Sequence, residues 1–212
     1  MESKKQIKNI IFDLSDVLLT GIKDTGVALG EKHKIEKGSY NQVWWTKTTT
    51  PLLTPLVEEL FHGNVSEDEY IEDVLEKYPQ MGTKEWLKTH IRENFTEVKG
   101  TREIILKLKN SGYKLALLSV HAKEWIDYCE EKFNFHELFD IRSYSYNAKV
   151  SKPNPISFQN VLKQLDASPE ECLFIDDSEI NIKAAEKLGI KGILFTNADN
   201  LGNNLFEILG NF

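Results

Sequence analysis

Apolar residues in this chain fall into two kinds of run. Short continuous runs, Ile10-Ile11-Phe12, Leu115-Ala116-Leu117-Leu118 and Cys172-Leu173-Phe174-Ile175, have the length of strands and no polar alternation, as strands covered on both faces do. Longer stretches space their apolar residues three and four apart, the period of a helix with one buried face. Strands are therefore expected at 8–13, 114–118, 139–144, 172–175 and 192–195. Helices are expected at 101–110, with Ile104, Ile105 and Leu108 inward and Gly112 after the end, and at 123–133, 154–165 and 181–188, the last stopped by Gly189.

From about 21 to 95 the pattern is helical, with turn signals between segments. Gly38-Ser39 precedes a helix carrying Trp44 and Trp45. Pro55 suits a first helical turn ahead of Leu56, Val57, Leu60 and Phe61. His62-Gly63-Asn64-Val65 reads as a turn, and Ser66-Glu67-Asp68-Glu69 as a capping box opening a helix through Leu75. Thr83 can cap another, with Trp86, Leu87 and Ile91 on one face. A strand, a helical insert and then alternating helices and strands imply an α/β fold, a mostly parallel sheet with helices on both faces.

At 212 residues the chain can hold one large domain, or a core with a smaller lid. Its hydrophobic and charged fractions, 41% and 28%, are those of an ordinary globular protein. A net charge of −7, without any Lys/Arg block, argues against nucleic acid as a partner. No apolar stretch approaches membrane-spanning length, and residues 1–6 run straight into the first strand without a secretory h-region, so a cytoplasmic protein is expected. Cys129 and Cys172 fit no metal or redox spacing, and Cys172 reads as a small buried hydrophobe.

The chemistry gathers where the strands end. Asp13 closes the first strand, Ser119 the second, and Asp176-Asp177 the acidic one, while Lys152 follows the short strand in a loop. In open α/β sheets that C-terminal edge is where ligands bind. Adjacent carboxylates are costly to bury as anions unless a cation compensates them, and Mg²⁺ is the natural choice for oxygen donors. Each residue has a simpler role open to it: Asp176-Asp177 and Ser119 as helix caps, Asp13 as a turn former, Lys152 as a solvated lysine. Together they make a phosphoryl-transfer set: a carboxylate nucleophile, a hydroxyl and a cation for phosphate oxygens, and acids for a metal.

The segment 10–19, Ile-Ile-Phe-Asp-Leu-Ser-Asp-Val-Leu-Leu, resembles the first motif of the haloacid dehalogenase-like (HAD) hydrolases. Leu117-Leu118-Ser119, Lys152-Pro153 and Phe174-Ile175-Asp176-Asp177-Ser178 with Asn181 resemble the second, third and fourth, in the family's order. The resemblance implies a Rossmann-like core of 1–20 and 96–212 with a helical cap of the first subclass at 21–95. It implies that Asp13 becomes an aspartyl phosphate, and that Mg²⁺ is held by Asp13, the Ser15 carbonyl and the Asp176/Asp177 pair. Ser15, Ser119, Val120 and Lys152 would bind the phosphate of a small phosphorylated substrate, in a monomer or homodimer. The chain departs from the family at Ser15, where most of its phosphatases carry a second Asp as acid and base, and at Asp16, where Gly is usual. Members similar to α-D-glucose-1-phosphate phosphatases also lack that acid and still hydrolyse sugar phosphates. Val120-His121 replaces a frequent Asn. His121 is read as facing solvent at a helix start, with proton donation to substrate as the alternative. A 2-haloacid dehalogenase, or an impaired member that binds a phosphorylated ligand without turnover, are the competing readings. Trp44, Trp45 and Thr48-Thr49-Thr50 are candidates for the cap core or the site entrance.

Overall fold

The structure, a computed structural model, describes residues 6–34, Leu52 and residues 54–211. The helix expected around Trp44 and Trp45, and the Thr48-Thr49-Thr50 run, lie outside the described residues. Strands β1 (Asn9–Phe12), β2 (Lys114–Ser119), β3 (Ile141–Tyr144), β4 (Cys172–Asp176) and β5 (Lys191–Leu194) form one sheet in the order β3-β2-β1-β4-β5. All pairings are parallel, and Phe12 of the central strand lies opposite both Leu117 and Ile175.

Between β1 and β2 lie α1 (Lys23–Lys32), α2 (Leu56–Phe61), α3 (Glu67–Lys77), α4 (Lys84–Glu93) and α5 (Thr101–Asn110). Then α6 (Lys123–Phe133) joins β2 to β3, α7 (Ser145–Ala148) and α8 (Pro155–Leu165) join β3 to β4, α9 (Glu179–Glu186) joins β4 to β5, and α10 (Ala198–Leu209) follows. The continuous apolar runs have a simple cause, since alternate strand residues enter two cores. Ile10, Phe12, Leu115, Leu117, Leu173 and Ile175 meet α5, α6, α10 and the insert helices. Ile11, Ala116, Leu118, Cys172 and Phe174 meet α8 and α9.

Local signals act as their chemistry requires. Ser66 and Glu69 form the reciprocal capping box of α3, and Asn154 accepts the Ile156 N–H ahead of Pro155 at the start of α8. Gly112, at φ +87°, carries the chain out of α5 in a left-handed conformation. The two crossings into and out of the insert run together: Leu19 bridges Glu97, and Val98 donates its N–H to the Leu18 carbonyl at 2.8 Å. Among the described residues no helix is long and apolar enough to cross a membrane.

Three expectations need correction. α9 starts at Glu179, two residues before the expected start, so Asn181 lies inside it and buried. Trp86 does not share the inward face of Leu87 and Ile91. It is 38% exposed, stacks on His90 and carries the Lys32 ammonium over its ring. The last strand is followed by α10, which is not among the expected helices. Its Asn200, Gly202, Asn203 and Asn204 are poor helix formers, but Asn197 caps it and Leu201 and Leu205 bury one face.

Candidate active site

Parallel strands place the ends of β1, β2 and β4 at one edge of the sheet. Asp13 leaves β1 there, with its N–H on the Ile175 carbonyl at 2.8 Å and its Oδ1 accepting the Leu14 N–H at 2.6 Å. The loop between α7 and α8 brings Lys152 across to it. The Lys152 Nζ is 2.8 Å from Asp13 Oδ1 and 2.6 Å from Asp176 Oδ2, and it lies 5.5 Å over the Phe174 ring. Asp176, wholly buried at the end of β4, is held further by the Ser178 N–H at 2.8 Å and by Asn181 Nδ2 at 3.0 and 3.2 Å. The early start of α9 is what turns Asn181 toward this carboxylate.

Asp13, Asp176 and Asp177 present ligand oxygens within 4.8 Å of one another. Burial pushes the Asp13 carboxyl well above its usual range; Lys152 opposes this while Asp176 and Asp177 add to it. Burial, then Asp176 and Asp16, raise Asp177 to about 6, again against Lys152. Burial alone would lower the Lys152 ammonium, but Asp13 and Asp176 outweigh it and the pKa is raised, so this lysine stays charged. With all three carboxylates ionised, one ammonium leaves two negative charges uncompensated, which is why burial and mutual repulsion push Asp13 and Asp177 toward holding protons in the absence of a cation. A hard divalent cation matches that deficit in both charge and donor type.

Beside the carboxylates, Ser119 is 1% exposed and its Oγ has no hydrogen-bond partner; the Asn181 Oδ1 is likewise buried and unpaired. A buried hydroxyl left unpaired costs about 1–3 kcal/mol, which a ligand oxygen would recover. Ser15 and Val120 are half-buried, two residues after Asp13 and one after Ser119.

The nearby groups able to donate a proton are committed elsewhere. Asp16 sits at φ +58°, the left-handed conformation that makes glycine usual there, and its Oδ1 accepts the Gly21 N–H at 2.8 Å. His121 does not face solvent. It is 3% exposed among Phe61, Phe95 and Trp125, and burial drops its pKa to about 4, so the ring is neutral at pH 7. The sequence offered no sign of this, because the aromatic residues around His121 come from distant parts of the chain.

The Haloacid dehalogenase-like hydrolase family matches the chain over residues 10–195, and the chain belongs to it. Pyrophosphatase PpaX of Bacillus cereus is 24% identical over 186 residues, 88% of this chain and 82% of that enzyme. Flavin mononucleotide hydrolase 1 of Arabidopsis thaliana is 27% identical over 124 residues, and the match spans 58% of this chain and half of that enzyme. In fold, the chain is similar to a HAD family enzyme from Bacteroides thetaiotaomicron solved as a magnesium complex, with a TM-score of 0.76 and 23% identity over 95% of this chain and 99% of that one. L-2-haloacid dehalogenase from Xanthobacter autotrophicus shares the fold at a TM-score of 0.62 and 19% identity, over 95% of this chain and 83% of that one.

Proposed function

We propose that this HAD-like hydrolase is a Mg²⁺-dependent phosphatase of a small phosphorylated metabolite, with 1–20 and 96–212 as its core and 21–95 as its cap. The observation that carries the reading is the buried Asp13–Lys152–Asp176 cluster beside an unpartnered Ser119 hydroxyl. A phosphate dianion needs donors and positive charge, and Ser119 and Lys152 supply both. The Asp13 carboxylate attacks phosphorus, its Oδ–P bond forming as the ester P–O bond breaks. Water then attacks the same phosphorus, its O–P bond forming as the Oδ–P bond breaks, which frees phosphate and restores Asp13. Of the two protons of the water, one stays with the phosphate and one makes good the leaving alkoxide. The Leu14 N–H and the Lys152 ammonium orient the Asp13 carboxylate for that attack. Asp13, Asp176, Asp177 and the Ser15 carbonyl would hold Mg²⁺, which supplies charge neutralisation of the transferring group. The names of the relatives, a flavin mononucleotide hydrolase and a pyrophosphatase, support hydrolysis of a small phosphorylated substrate, and the magnesium and inorganic phosphate in a Bacteroides structure support the metal. The three clustered carboxylates disfavour the dehalogenase reading, since they would repel a haloacid carboxylate.

A second reading has its own observation: Ser15 replaces the usual acid, Asp16 is tied to Gly21, and His121 is neutral and buried. Together these favour slow or absent turnover on a site that still binds phosphate. A panel of phosphorylated metabolites and p-nitrophenyl phosphate, with and without Mg²⁺, separates the two. Mg²⁺-dependent phosphate release that disappears in Asp13→Asn supports the phosphatase. Tight phosphate binding with no release from any substrate selects the second reading.

A further inference from the structure

The turn that ends α2 touches the core where both phosphate-binding groups enter the site. Ser145 Oγ donates to the Phe61 carbonyl at 2.6 Å and accepts the His121 N–H at 3.2 Å, two residues after Ser119. His62 Nε2 is 2.9 Å from the Oγ of Ser151, the residue before Lys152. Lys149 Nζ donates to the carbonyls of His62 and Gly63 at 2.6 and 2.8 Å, placing a cation at the negative end of α2. Gly63 is at φ +63°, and a Cβ there would meet the Tyr146 Cβ and carbonyl at 3.1 Å, so a side chain at this position would be strained and would push the turn away from Tyr146. Three consecutive insert residues thus hold the segment 145–151 and, through Ser145, the loop after β2. Ser145 and Ser151 are both buried.

We propose that the turn formed by Phe61, His62 and Gly63 is a positioning element for the phosphate site, fixing the two loops that present Ser119 and Lys152. The inference rests on the reading of those two residues as phosphate ligands. A loop already ordered by the insert loses little entropy when phosphate binds, whereas a released loop must be ordered by the phosphate itself. Docking of the insert and binding of phosphate therefore favour one another by the same factor. Asp13, Asp176 and Asp177 lie at the ends of β1 and β4, outside the loops concerned, so loosening the loop that carries the competing Lys152 ammonium does not weaken metal binding.

The test is calorimetric titration of inorganic phosphate into the Mg²⁺-loaded full chain, comparing wild type with Lys149→Met, His62→Ala and His62→Gln. Lys149 is exposed, so its variant folds, and glutamine keeps a polar atom within reach of Ser151. Phosphate affinity should fall roughly tenfold in Lys149→Met and His62→Ala and recover in His62→Gln, while Mg²⁺ affinity without phosphate is not weakened. Wild-type phosphate affinity in both Lys149→Met and His62→Ala overturns the proposal, as does an equal loss of Mg²⁺ and phosphate binding. If the wild type binds no phosphate with Mg²⁺ present, the phosphatase reading itself falls, and this inference with it.

Discussion

Replacing Lys152 with methionine keeps most of the side-chain length and removes the cation between Asp13 and Asp176. The lysine side chain is 2% exposed, and those of its partners are 8% and 0% exposed. Removing one member of so buried a cluster costs about 3–5 kcal/mol, because the remaining anions have neither water nor a partner. For a chain of 212 residues that is a fall in Tm of roughly 6–20 °C. The cost depends on pH in a definite direction. Asp13 and Asp177 already have raised pKa values in the fold, Asp177 at about 6, and losing Lys152 raises both further. An acid with a raised folded pKa holds its proton after the unfolded chain has released it near ~4, so stability falls as pH climbs from there through the folded value. The deficit of Lys152→Met should therefore be larger at pH 8 than at pH 5. Mg²⁺ should shrink it at pH 8 and bind more tightly than to wild type, since a competing positive charge is gone. Thermal unfolding followed by circular dichroism, at both pH values with and without Mg²⁺, reads all of this. A variant as stable as wild type at pH 8 without Mg²⁺ would refute the reasoning that the site lacks positive charge.

Other substitutions probe neighbouring parts of the account. Calorimetry should find Mg²⁺ affinity lost in Asp177→Asn and little changed in Ser15→Ala, because in the proposed site position 15 would offer the metal only its carbonyl. Wild type should release a burst of p-nitrophenol from p-nitrophenyl phosphate and then turn over slowly, as this leaving group barely needs a proton while hydrolysis of the adduct needs an activated water. Ser15→Asp should shrink the burst and raise the steady rate; brisk wild-type turnover without a burst would show that another group already activates the water. Glu67, 1% exposed, accepts from Trp125 Nε1 at 2.8 Å and pairs with Arg92 and Lys88, so Glu67→Gln should cost about 3 kcal/mol in denaturant unfolding. An unchanged midpoint would show that Arg92, itself 30% exposed, meets its needs with water.

What could be read from the sequence, and what could not, divides along a physical line. Continuous apolar runs ending in polar residues, such as Ile10-Ile11-Phe12-Asp13, announced buried parallel strands, because a strand covered on both faces has no polar alternation to blur it. The Asp13, Lys152 and Asp176 contact was legible as a set of strand and loop ends, since parallel topology carries such ends to one edge. Features that depend on distant partners were not. His121 looks like any polar residue at a helix start until Phe61 and Phe95 close over it. Glu67 reads only as part of the capping-box segment 66–69, and nothing near it in sequence announces Trp125, which meets it from α6. α10 was hidden by its own composition: with so much Asn and Gly, it takes the Asn197 cap and the burial of Leu201 and Leu205 to make it a helix.

The proposal that Asp13 carries the phosphoryl group can be tested directly. Wild-type protein mixed with Mg²⁺ and p-nitrophenyl phosphate, quenched within the burst and reduced with borohydride, should yield homoserine at position 13 in peptide mass spectra. The same treatment of Asp13→Asn should leave every acidic residue unreduced. Reduction at Asp16 or Asp177, or release of p-nitrophenol from wild type with no reduced aspartate at all, would contradict an aspartyl phosphate on Asp13.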